Sequence, residues 1–455
     1  MTSAPNDPDS GACRVAPCGL RDAPRKGARA LRVAAFVLLA AWACASMGVG
    51  FWRAFGTWGG HDLHAYWMAG HFVRRGENPY AAHFEQRRPQ GPVHYLDGYV
   101  PHGQPVHQEG MSTVPSNTAP VVLLLHVLAY FSWDTARALW ACLNLGSALV
   151  APWLALSLLR DRIDRSGMWL VALAFYGWSA VRNALFLGQT ALPVFVLMVA
   201  AVALSSAGRT VLAGLVLGVA LSKYSLALPI LLVFALRRRW REIFLAGVVQ
   251  FLGVIAVAIL ARQSPWGVVR TYLTMLSLHV GQRGIDLKAL LPLNSRMALP
   301  AAMLLTLLVA RALRPAIGGF ARSTPRAGDT APVAHTHLVP EEHWMLCVSS
   351  IWVLLVAYHR VYDAVLLLFP ATRLMSLMRP EARGLSPNAR AAPILLAVAA
   401  VVGTLILSLP GSLGGAPLAG QPTYVDVAIA GSLVMLLALL LWFDRSDPSL
   451  DLELS

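Results

Sequence analysis

Residues 31–51 form an apolar run long enough to cross a bilayer, and runs of similar character recur along the chain as far as residue 443. The hydrocarbon core of a bilayer takes about 20 residues of apolar helix, and every backbone polar group inside it must be paired within protein. A chain made mostly of such runs has one class of solution, an all-α polytopic membrane protein. Its charge content agrees: 13% of the 455 residues are charged, against about 25% in soluble proteins. The net charge of +14 could point to nucleic acid, but the basic residues cluster beside apolar runs, at Arg21, Arg25, Lys26, Arg29 and Arg32, at Arg237, Arg238, Arg239 and Arg241, and at Arg311 and Arg314. That placement marks cytoplasmic loops, and no nucleic-acid partner is expected.

The five cysteines supply neither a CxxC pair nor a zinc spacing: Cys44, Cys142 and Cys347 lie in apolar runs, and Cys13 and Cys18 in the polar leader. Residues 31–51 exceed a signal-peptide core and follow a long basic leader, so they are expected to be an uncleaved first helix with the N-terminus inside. Residues 1–28 mix Pro, Gly, Asp and Arg and are expected to be a disordered cytoplasmic segment. A polytopic domain then occupies 29–443, with external loops at 52–117 and 262–296, a cytoplasmic linker at 314–342 and a cytoplasmic tail at 444–455. The apolar runs amount to about 10–13 transmembrane or re-entrant helices, the last two at 391–409 and 425–443.

Residues 118–131 are short for a span. If they cross, Gln189 faces the cytoplasm and Lys223 falls mid-membrane. If they dip in and return, residues 160–165 are cytoplasmic, and Gln189 and Lys223 both face outward. The second scheme obeys the positive-inside rule and avoids an unpaired lysine at the bilayer centre, so it is preferred.

In either scheme, two polar segments face the same side. One runs from Gly59-Gly60-His61-Asp62-Leu63-His64 to Gly76-Glu77-Asn78-Pro79-Tyr80, and the other is Tyr358-His359-Arg360-Val361-Tyr362-Asp363. Residues 62–75 space Leu63, Tyr66, Trp67 and Phe72 as an amphipathic helix lying on the outer membrane face. Each polar residue also has an ordinary role open to it: turn-making in the loop, an interfacial cap at His359 to Asp363, a snorkelling Lys223, or a Gln189 that bridges helices. No P-loop, Gly-rich phosphate loop or outward DxD pair is present, and no metal or cofactor is expected. The histidines of the first loop (His61, His64, His71, His83, His94, His102 and His107) match no standard metal spacing.

Taken in order, the motifs resemble those of glycosyltransferase family 87. Asp62 with Gly76-Glu77-Asn78-Pro79-Tyr80 is similar to a D…Y…GxxPY segment. Gly188-Gln189 is similar to a GQxN segment, with Ala191 in place of Asn. Ala213-Gly214 to Gly218, Lys223 and Arg237 to Arg241 are similar to an AGxxxG…KP…RRxWR stretch, with Tyr224 in place of Pro. Residues 358–363 resemble a late outward-facing motif. The resemblance implies a GT-C-type enzyme of the cell (inner) membrane, with cytoplasmic termini and an extracytoplasmic site. It would move a hexose, by family weight mannose, from a polyprenyl-phosphate carrier to a hydroxyl of a glycolipid, glycan or protein, with inversion. The acceptor hydroxyl needs a base, for which Asp62 and His359 both stand as candidates. Lys223 and Arg360 would hold the phosphate, and Gln189, Tyr66, Tyr80 and Asp363 would contact the sugar or support those that do. The alternatives are a transporter or lipid-linked-sugar flippase, suggested by the broken helices around Lys223, and a non-catalytic partner in envelope polysaccharide assembly. No internal hydropathy repeat supports transport, and the acid and histidine lie in loops on one face.

Overall fold

The computed structural model describes residues 23–56, 59–81, 117–158, 163–279, 304–306, 308, 309, 311, 340–356, 361–377, 433 and 434, and every regular element among them is helical. The first, α1, is Ala23–Arg53. Residues 23–28, expected to be disordered, belong to this helix. Ala, Lys and Arg are good helix formers, and Pro24 sits in the first turn, where its missing N–H costs nothing.

Four stretches are long and apolar enough to cross a membrane, Val33–Arg53, Trp133–Ser157, Thr210–Leu236 and Trp240–Leu260; the pair Arg165–Gly177 and Ser179–Leu187, bent by 48°, makes a fifth. The protein is an all-α membrane protein. In chain order these helices are α4 (Trp133–Ser157), α5 (Arg165–Gly177), α6 (Ser179–Leu187), α7 (Ala191–Ser206), α8 (Thr210–Ala220), α9 (Tyr224–Leu236) and α10 (Trp240–Leu260). Helix α1 runs alongside α5 and α6 in the same direction. Trp42 Nε1 donates to the Gly177 carbonyl at 3.1 Å, and Arg53 lies over the Phe186 ring. Ala148, Ala151 and Ala155 are fully buried along one stripe of α4, and small side chains there let helices approach closely.

The apolar stretch Thr210–Leu236 doubles back. Helices α8 and α10 start at the same end, because Arg239 Nη1 donates to the carbonyl of Ser205, just ahead of α8, at 3.3 Å. They then run in parallel, with Gly214 against Glu242 and Leu245 and Gly218 against Val249. Helix α9 therefore returns from the far end. The turn is the 3-10 segment Leu221–Lys223, where Lys223 leaves helical geometry at φ −111°, ψ 74°.

One end of the bundle thus collects Arg209, Arg237, Arg238, Arg239 and Arg241. Helix α12 (Pro340–Val356) leaves from this arginine end, where buried Glu342 pairs with Arg237. The chain comes back through the 3-10 segment Val361–Leu367 and α13 (Leu368–Leu377), whose Thr372 meets His343 Nε2 at 3.0 Å.

The opposite end carries α2 (His61–Arg74) and α3 (Ala119–His126), which a 3-10 turn extends through Val127–Tyr130. The α3 segment starts and finishes at this end: the Thr118 N–H donates to the Ser222 carbonyl at 3.0 Å, and Trp67 Nε1 to the Phe131 carbonyl at 3.3 Å. The helix expected at 62–75 is present but does not lie amphipathic on a surface. Every residue from Leu63 to Val73 is buried, because α3, α4 and α10 close around it. His64 and His71 pack edge-on against Trp133 and Trp67 at 5.2 and 4.4 Å. The expected second loop contains α11 (Pro265–His279), whose Val268 and Met275 join the same apolar cluster. Residues 1–22, the closing helices at 391–409 and 425–443 apart from 433 and 434, and the tail lie outside the described residues.

Candidate active site

Two turns meet at the end opposite the arginines. Gly60 precedes α2 at φ 74°, and Gly188 follows α6 at φ 66°. Both adopt the left-handed conformation that glycine takes without steric cost. They also touch: a Cβ on Gly188 would fall 3.0 Å from Leu63 Cβ and 3.1 Å from Gly60 Cα. The Gly60 N–H donates to the Phe186 carbonyl at 2.9 Å, and Trp140 Nε1 to the Gly188 carbonyl at 2.7 Å. This nesting sets Asp62, in the first turn of α2, beside Gln189.

From there a line of polar side chains crosses four elements. Gln189 Nε2 donates to Asp62 Oδ2. Gln189 Oε1 accepts from Lys223 Nζ at 3.3 Å, and Lys223 Nζ forms an ion pair with Asp363 Oδ1 at 2.6 Å. The Lys223 and Asp363 side chains are only 8% and 5% exposed, so both charges have left water and depend on each other. Asp62 is the acidic residue of the first turn of α2, next to the N–H groups that a helix start leaves without an intrahelical bond.

A second network fastens the two turns that carry Gln189 and Lys223. Asn117 Nδ2 donates to Thr190 Oγ1 at 2.9 Å, next to Gln189. Its neighbour Thr118 meets Ser222, next to Lys223, through the backbone bond already described. The Thr118 hydroxyl donates to Gln250 Oε1 at 2.8 Å, and Gln250 Nε2 donates to the Gly218 carbonyl at 2.6 Å. The dipeptide at 117–118 is thus a clasp between the turn after α6 and the turn after α8.

Of the residues proposed from the sequence, Asp62, Gln189, Lys223 and Asp363 come together. Gln189 makes both of its bonds within the line, to Asp62 and Lys223. Tyr66 and Tyr80 are buried behind it. The Tyr80 hydroxyl donates to the Asn117 carbonyl at 3.1 Å, and its backbone N–H to Asn78 Oδ1 at 3.0 Å. Burial pushes that phenol well above its usual range, with Tyr272 and Tyr66 adding to the shift, so it stays a donor. Tyr80 supports the clasp. His359 and Arg360 lie outside the described residues. Asn117, Thr118, Thr190 and Gln250 were not expected. Gln250 had a signal, as the single polar residue in the apolar run 243–261. Among the described residues no three His, Cys, Asp or Glu side chains converge to hold a metal.

Comparison with curated proteins and with solved structures gave no match. The sequence model of glycosyltransferase family 87 matches residues 118–402. Asp62, Tyr66 and Tyr80 precede the match, whereas Gln189, Lys223, His359, Arg360 and Asp363 fall inside it. Since the match takes in more than half of the chain, together with Thr118 of the clasp and three of the four residues in the polar line, this chain belongs to glycosyltransferase family 87.

Proposed function

We propose that this membrane glycosyltransferase moves a hexose, mannose by family weight, from polyprenyl phosphate to a hydroxyl of a glycolipid, glycan or protein. The observation that carries this reading is the convergence of Asp62, Gln189, Lys223 and Asp363 at one end of the bundle. A carboxylate and an ammonium joined through one amide suit a reaction that removes a proton at one point and releases negative charge at another. The acceptor oxygen attacks the anomeric carbon, its proton passes to Asp62, and the bond from that carbon to the phosphate oxygen breaks on the opposite face. The configuration inverts, and the lipid phosphate leaves as a monoester with one more negative charge than it had in the donor. Gln189 fixes the orientation of the Asp62 carboxylate. Lys223, resting on Asp363, is placed to meet the departing phosphate, and charge stabilisation of this kind is worth about 3–4 kcal/mol in a dry site. The line holds two carboxylates and one ammonium, so Arg360 is assigned the remaining phosphate charge. His359 stands as the other base, in which case Asp62 would orient its ring and stabilise the charged form.

The positive-inside rule puts the arginine end and both termini in the cytoplasm, and the site on the extracytoplasmic face of the cell (inner) membrane. The test is sugar transfer from radiolabelled polyprenyl-phosphate-mannose by membranes expressing wild type, Asp62→Asn and His359→Ala at matched levels. Transfer by the wild type, lost in Asp62→Asn, supports the reading; loss in His359→Ala as well makes the two a pair. Equal transfer by all three overturns the assignment of both bases; with other radiolabelled polyprenyl-phosphate hexoses offered in parallel to wild type, transfer from one of those and none from the mannose donor overturns mannose.

A further inference from the structure

Arg53 and Arg182 lie about one helical turn apart where α1 meets α6, close to the site end. The two helices approach so closely at Gly50 that a Cβ there would lie 2.9 Å from the Arg182 carbonyl oxygen and 3.1 Å from its Cα. One turn further along each helix, the Arg53 guanidinium lies 5.2 Å from the centroid of Phe186. Parallel packing with this register brings the two positive charges within electrostatic reach of each other. Neither has a carboxylate within ion-pair distance among the described residues. Two other arginines of this end are paired, Arg75 with Glu77 and Arg137 with Asp134.

The surroundings specify the kind of anion that would relieve this repulsion. The face of α1 beside Arg53 is apolar and exposed, with Trp42 at 47%, Val49 at 47% and Trp52 at 80%. That is the character of a lipid-facing helix ending in an interfacial tryptophan. With Val33–Arg53 as the span, Arg53 falls at its end, toward the headgroups, and Arg182 about one turn deeper. Guanidinium forks match phosphate oxygens two at a time, which an ammonium does not do.

We propose that Arg53 and Arg182 together bind the phosphate of a membrane lipid. A single phosphate between them replaces one repulsion with two attractions, while the lipid chains lie along α1. The same chemistry is offered by an anionic phospholipid and by a polyprenyl phosphate. The pair adjoins the site, since Phe186 accepts the backbone bond of Gly60, two residues before Asp62.

The test reads binding alone, and so stands apart from the transfer reaction. Full-length protein is placed in phosphatidylcholine nanodiscs containing either phosphatidylglycerol or undecaprenyl phosphate, and native mass spectrometry measures the lipid retained. Arg53→Gln, Arg53→Gln/Arg182→Gln and Arg53→Lys/Arg182→Lys are compared with wild type; Arg53 is exposed, so its single variant removes one ring contact, to Phe186, and no buried group. The double glutamine variant should hold phosphate lipid about tenfold less tightly, the single variant less weakened, and the lysine variant between wild type and the double glutamine form. Weakening confined to phosphatidylglycerol assigns the site to a structural lipid, and weakening confined to undecaprenyl phosphate assigns it to the carrier; either supports the proposal. Equal retention of both lipids by wild type and the glutamine variants overturns it.

Discussion

Lys223 and Asp363 illustrate what burial demands of a charged side chain. Removing one partner strands the other in a medium that solvates it poorly, at a cost of about 3–5 kcal/mol, whereas replacing both with apolar groups is often neutral. Lys223→Met should therefore destabilise the protein by about that amount, and Lys223→Met/Asp363→Leu should recover most of it while remaining inactive. Detergent-solubilised melting curves beside a transfer assay separate the two effects. His71 makes a pH-dependent prediction. Burial, reinforced by Arg74, Arg75 and His64, lowers its imidazole from 6.5 to about 4. The folded ring stays neutral down to that value, whereas the unfolded ring takes a proton below about 6.5. Its contribution to stability is whole above pH 6.5 and is lost as the pH falls from there to about 4. Melting temperatures measured across that window should fall more steeply for wild type than for His71→Phe.

At the scale of the element, the site depends on turns rather than on helices. Gly188→Ala should cost about 1–2 kcal/mol for the left-handed backbone alone. Because the new methyl would press on Leu63, it should also move Asp62 away from Gln189 and reduce transfer by more than the stability loss explains. Thr118→Val strands Gln250 Oε1, a loss of about 1–3 kcal/mol, and loosens the turn ahead of Lys223; Thr118→Ser should restore both stability and transfer. Much of this site was legible in the sequence, and the reasons differ by residue. Asp62, Gln189, Lys223 and Asp363 interrupt or border apolar runs, where a polar side chain has to have a purpose. The place of Gln189 between two charges depends on how the turns nest, which spacing does not encode. The spacing of Leu63, Tyr66, Trp67 and Phe72 predicts a surface helix for α2, because periodicity records where apolar residues recur and not whether water or tryptophan faces the histidines between them. The clasp at 117–118 looked like the unremarkable end of a loop, since its bonds reach side chains and carbonyls far along the chain.

For the whole molecule, the helical, membrane-embedded character followed from composition, and the doubling back at Lys223 agrees with the scheme preferred for keeping residues 160–165 cytoplasmic and an unpaired lysine out of the bilayer centre. The proposed orientation is open to labelling in a background without native cysteines. Ser264→Cys, in the turn after α10, should react with an impermeant maleimide in intact cells, and Arg238→Cys only after permeabilisation. The central claim is that one buried polar line performs the transfer, and kinetics on Asp62→Asn, Lys223→Gln and the double variant test it most directly. Folded and purified with polyprenyl-phosphate-mannose and acceptor, each single variant should lose about a hundredfold or more in kcat/KM. The double variant should fall little below the worse single one, because groups acting as a unit are not additive. Transfer at the wild-type rate by either single variant would contradict the account.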